Sequence, residues 1–101
     1  MSRFLAVLFS ISMLLNAASA ADVVNGERLA RRWCAACHVV SVDQRLGNTQ
    51  SAPFSAIAKT AGLDAATLAL FLLLPHPKMP DMNLSRDEAA DLAAYIVSQG
   101  S

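Results

Sequence analysis

Both cysteines of this 101-residue chain lie in one five-residue run, Cys34-Ala35-Ala36-Cys37-His38. A structural disulfide explains the pair poorly, because closing a loop between residues three apart stabilises little. A redox-active dithiol of this spacing ordinarily follows a strand in an α/β fold, and no stretch of this chain alternates as a strand. A zinc site needs four ligands, and there is no second Cys/His pair to supply them. C-x-x-C-H is also the attachment sequence for c-type haem. At a helix end, side chains three and four apart share one face. Cys34 and Cys37 could then form thioethers to two vinyl groups on one porphyrin edge, with His38 turning its imidazole under the ring.

A second group of soft side chains occurs in Pro75-His76-Pro77-Lys78-Met79-Pro80-Asp81-Met82. Three prolines in so short a stretch exclude a helix or central strand, because each lacks a backbone donor and fixes φ. His76 and Met79 each precede a proline, which pushes them toward extended backbone. Such stiffening lowers the entropy lost when a side chain is held in place. An iron with one protein ligand has its other axial face free, and His76, Met79 and Met82 are the candidates to fill it. Met79 lies 41 residues after His38, enough chain to pass around the edge of a haem.

The elements that must position these residues read as helices. Asn25 is a good N-cap for a helix running through Leu29, Ala30 and Trp33 into the Cys34 region, with Glu27 in its first turn. Residues 41–52 are polar and form a loop. Residues 54–60 form a short helix burying Phe54, Ile57 and Ala58. Asp64 caps a helix over residues 65–73, with Leu68, Phe71 and Leu72 at helical spacing, and Pro75 stops it. Ser85 and Glu88 make a capping box for a final helix over residues 86–98, which ends at Gly100. The domain is predicted to be all-α.

Residues 1–20 form a different unit. Arg3 precedes an apolar run from Phe4 to Leu15, and Ala18 and Ala20 follow in A-x-A spacing. That order predicts a secretory signal peptide cleaved after about Ala20, since the run is shorter than the roughly 18 residues of a membrane span. Residue 21 is Ala rather than Cys, so no lipid anchor is expected. Cleavage removes Arg3 alone, leaving seven basic and eight acidic side chains in residues 21–101. A net charge of −1 is near neutral, so nothing here calls for nucleic acid or an anionic membrane surface as a partner. A domain this small commonly needs a staple such as a metal or a large cofactor.

The chain resembles the small bacterial class I cytochromes c across residues 22–101. The resemblance rests on Gly26 eight residues before Cys34, the Cys34-to-His38 run, Ala52-Pro53-Phe54, Met79-Pro80, and Asp91-Leu92-Ala93-Ala94-Tyr95-Ile96. It implies a cytochrome c-like helical domain around one covalent haem, with iron held between His38 and Met79. It implies that Pro53 supplies the carbonyl accepting from the His38 ring, and that Gly26 and Tyr95 mark a close crossing of the first and last helices. Ala30 departs from the family, where an aromatic is common; Trp33 either compensates or covers the haem. Gln50, Arg45 and Lys59 are the candidates for bonding a haem propionate, and the sequence does not choose among them.

The function implied is periplasmic one-electron transfer, not catalysis, by a monomer or a subunit of a redox complex. The partners would be exported or membrane-bound redox proteins. Two alternatives stand beside it. A haem with a displaceable methionine would bind a gas or peroxide. His76, Met79 and Met82 with the two cysteines would suit Cu(I) in a copper carrier, although that leaves His38 without a role.

Overall fold

The computed structural model describes residues 20–47 and 50–101. The expected signal segment therefore lies outside the described residues. Four helices occur in the order α1 (Val23–Trp33), α2 (Phe54–Ala58), α3 (Ala65–Leu73) and α4 (Arg86–Ser98), and no strand is found among the described residues. Helix α4 is the hub, packing against each of the other three. Leu29 and Ala30 of α1, Val40, and Leu92 and Ala93 of α4 form the most deeply buried part of the core. None of the described helices is long and apolar enough to cross a membrane.

Helix α1 starts earlier than its sequence suggested. Asp22, not Asn25, is the N-cap, and its carboxylate accepts from the Asn25 N–H at 3.0 Å. A charged acceptor satisfies the orphan donor better than a neutral amide, so the Asp three residues upstream wins. Asn25 is freed for tertiary work, donating its side-chain amide to Asp91 Oδ2 at 2.9 Å while Asp91 Oδ1 accepts from the Asp22 N–H at 2.7 Å. Glu27 consequently falls outside the first turn and pairs with Arg31 at 3.2 Å on an exposed face.

The crossing of α1 and α4 is as close as the Gly26 and Tyr95 pattern implied. A Cβ built on Gly26 would stand 2.0 Å from the Asp91 carbonyl oxygen and 2.8 Å from Tyr95 Cβ. Only a residue without a side chain lets the two backbones meet there. Tyr95 then reaches past the crossing to donate its hydroxyl to the Val40 carbonyl at 2.7 Å.

The caps of α3 and α4 are as predicted. Asp64 accepts from the Thr67 N–H at 2.7 Å. Ser85 Oγ accepts from the Glu88 N–H at 3.1 Å, and Glu88 returns the bond to the Ser85 N–H at 3.0 Å. Leu74, driven extended by the following Pro75, ends α3 with ψ 146°. Two expectations are corrected. Helix α2 ends at Ala58, two residues early. Gly100 has no left-handed φ; an added Cβ would lie 2.9 Å from Ala58 Cβ, so its smallness serves packing and not a helix stop.

Candidate functional site

Cys34 is the C-cap of α1, and the chain tightens there into turns: the N–H groups of Cys37 and His38 both donate to the Cys34 carbonyl, at 3.1 and 2.8 Å. This places Cys34, Cys37 and His38 on one cleft. The two cysteines form no disulfide, and Cys34 is buried while Cys37 is exposed. Burial disfavours the thiolate and pushes the Cys34 thiol from 9.0 up to about 11.

The His38 ring is aimed by its Nδ1, which lies 2.6 Å from the Ala52 carbonyl oxygen. A carbonyl only accepts, so Nδ1 carries the proton and Nε2 keeps its lone pair for a metal. The acceptor is therefore Ala52 and not Pro53. The Pro53 carbonyl is already engaged by the N–H groups of Ala56 and Ile57 at 3.0 and 3.1 Å, because Pro53 is the N-cap of α2. Pro53 contributes by capping α2 and by having no N–H of its own. Phe54, the next residue, packs its ring 5.6 Å from the imidazole and donates its N–H to the Val39 carbonyl at 3.0 Å.

The proline-rich loop closes the opposite side. Lys78 and Asn83 bracket its methionines with φ of 72° and 48°, a left-handed backbone that costs a non-glycine residue about 1 kcal/mol or more. The Asn83 N–H donates to Asp81 Oδ1 at 3.1 Å, which supports the second of these bends. Of the three soft candidates, Met79 lines both cavities that His38 lines, Met82 lines one, and His76 lines neither. Met82 is 9 % exposed and belongs to the core. His76 is occupied with Phe71, ring centroids 3.8 Å apart.

The two cavities suit an amphipathic ring with polar edges. The larger, about 320 Å³, runs from Trp33, Cys34, Cys37 and His38 to Met79 and Met82, and Gln50 and Lys78 also line it. The smaller, about 80 Å³, is walled by Phe54, Ile57, Leu68, Phe71, Leu72 and Ile96, with Cys34, His38 and Met79 common to both. The larger cavity falls at the lower end of the ligand-site range, about 300–1,000 Å³. Two thiols, an imidazole whose Nδ1 faces a carbonyl, a thioether lining the same cleft and an apolar interior fit a covalently held haem. Among the described residues, no group of three or more His, Cys, Asp or Glu side chains forms a metal-binding cluster.

Some expected residues lie elsewhere. Phe71 is 49 % exposed and Leu72 is partly buried against the core, and both line the smaller cavity. Trp33 lines the cleft, with the Arg32 guanidinium 4.8 Å from its ring centroid, and so covers the site. Of the three propionate candidates, Gln50 lines the cleft, whereas Arg45 lines a separate open groove with Arg31 and Asp43. Lys78, which sequence reasoning passed over, also lines the cleft.

Comparison with known proteins gives the family. The family model described as Cytochrome c matches residues 23–100. The chain is 43% identical over 96 residues to Cytochrome c-552 of Bradyrhizobium diazoefficiens, an alignment spanning 95% of this chain and 92% of that protein. No solved structure gives a significant match.

Proposed function

Because the chain belongs to the cytochrome c family, and is thus an electron carrier bearing one covalent haem c and its iron, not an enzyme, we propose the residues that hold that group and the setting in which it works. Cys34 and Cys37 would hold the group through thioethers, and His38 Nε2 and the Met79 sulfur would ligate its iron. The bound haem supplies a ferric–ferrous couple for one electron at a time. The observation that carries this reading is the shared lining of one cleft by Cys34, Cys37, His38 and Met79, with the imidazole held by Ala52 so that Nε2 is available.

The protein's own contribution is positional and electrostatic. With both His38 and Met79 bound, the iron would have no position left for a substrate. Thioether ligation raises the potential, and the apolar wall of Phe54, Ile57, Leu68 and Leu72 acts in the same direction by disfavouring the extra positive charge of the ferric state. Cys37 is exposed, which leaves the edge it would hold accessible to a redox partner. The near-neutral charge of residues 21–101 gives little electrostatic steering toward one partner type. The N-terminal pattern supports export to the periplasm, with cleavage after about Ala20.

Spectra of haem-loaded protein test the ligand assignment. Met79→Ala abolishes the weak sulfur-to-iron band of the ferric form, while Met82→Leu, chosen to spare the core, retains it. The reverse pattern reassigns the ligand. A ferric wild-type spectrum without the band would remove methionine ligation altogether.

A further inference from the structure

Gln44 lies in the loop after His38, on no helix, and its carboxamide bonds four backbone groups. Oε1 accepts from the Val40 N–H at 2.9 Å. Nε2 faces the carbonyl oxygens of Ala35, His38 and Leu46 at 2.9, 2.8 and 2.6 Å, sharing its two hydrogens among them. None of these four groups has a backbone partner among the described residues. One side chain therefore does here what a helix or sheet ladder does elsewhere.

Two of the groups it joins, at Ala35 and His38, lie within the reactive run, and two, at Val40 and Leu46, follow it. Ala35 and His38 flank Cys37 in sequence. Val40 is fully buried, its carbonyl is held by Tyr95, and the Val39 carbonyl is held by Phe54. With the His38 N–H bonded to Cys34 and its Nδ1–H to Ala52, Gln44 completes the fixing of the segment that carries the imidazole. A glutamate of equal length would keep the acceptor but set a negative charge against three carbonyls. A methionine of similar volume would offer neither donor nor acceptor of comparable strength.

We propose that Gln44 is a positioning residue for haem attachment and ligation: its carboxamide ties the turn holding Cys37 to the segment leaving His38, so that thiol and imidazole are presented together to the cleft. This rests on the reading that Cys37 and His38 hold the haem. It adds a residue that touches neither.

The experiment compares wild type, Gln44→Met and Gln44→Glu produced in a host competent for c-type haem attachment. Three quantities are read: the fraction of chain carrying haem by intact mass, the reduction potential of the loaded fraction, and amide exchange at Val40. Both variants should load several-fold less haem, and their loaded fraction should show a displaced potential. In Gln44→Met the Val40 amide should exchange about tenfold faster, the factor for loss of one buried hydrogen bond, whereas Gln44→Glu keeps that acceptor. Variants that lose thermal stability alone, with wild-type loading and potential, would overturn the proposal. If Gln44→Glu does not fold, Gln44→Met decides. Unloaded wild-type protein would overturn the haem reading and this inference with it, whereas loaded wild type matched by both variants overturns the inference alone.

Discussion

Gly26→Ala sets two physical effects of opposite sign against each other. Within a helix, replacing glycine by alanine ordinarily stabilises by about 1 kcal/mol. At this position the new methyl would stand 2.0 Å from the Asp91 carbonyl oxygen and 2.7 Å from its carbon, where real Cβ contacts stay beyond 3.0 Å. The obstacle is backbone, so no side chain can rotate aside, and α1 must retreat from α4 by about 1 Å. That loosens Leu29 and Ala30 against Leu92 and Ala93 and pulls at the Asp91 bonds to Asp22 and Asn25. Overpacking costs roughly 1–3 kcal/mol, and a backbone clash belongs at the upper end, leaving a net loss of about 2 kcal/mol. For a domain of this size that lowers Tm by roughly 10 °C. Thermal melts of haem-loaded wild type and variant, followed by helical circular dichroism, read the difference. An unchanged or higher Tm would refute the close-crossing argument, because propensity alone would then have decided the outcome.

Other perturbations read other parts of the structure. Tyr95→Phe removes the hydroxyl bonded to the Val40 carbonyl and should cost about 1–3 kcal/mol in denaturant unfolding, the range for a buried acceptor left unpaired; no change would mean that water replaces the bond. In haem-free protein, a Cys34 thiol pushed from 9.0 to about 11 carries about a hundredfold less thiolate below pH 9. Its alkylation should therefore be slow at pH 8 and should rise with pH toward a midpoint near 11. A midpoint at the ordinary thiol value would show that the sulfur is not buried.

What could be read from the sequence was local. The C-x-x-C-H run and the Ser85–Glu88 box declare themselves within five residues, and the Asp64 cap within four. The prolines stiffen the loop around His76, Met79 and Met82 alike, and only the family's Met-Pro step singled out Met79. The start of α1 was misplaced because two capping residues, Asp22 and Asn25, stand three apart, and their competition is settled by the strength of the acceptor. The His38 acceptor was misplaced by one residue because the α2 cap claims the Pro53 carbonyl, a fact of three-dimensional register. Gln44 and Lys78 passed unseen for another reason. A polar side chain in a polar loop carries no periodicity, and its role depends on which carbonyls or which cleft the loop brings near it. Phe71 and Leu72 have helical spacing, yet spacing does not distinguish a face packed on the core from one turned to a cavity.

The most direct measurement concerns the tryptic peptide spanning residues 33–45, which contains both cysteines and His38. Mass spectrometry of this peptide, prepared from protein recovered from the periplasm after acid-solvent extraction, should find one porphyrin bound through two thioethers. The same peptide with two unmodified thiols, or with the porphyrin removed by extraction, would contradict the account.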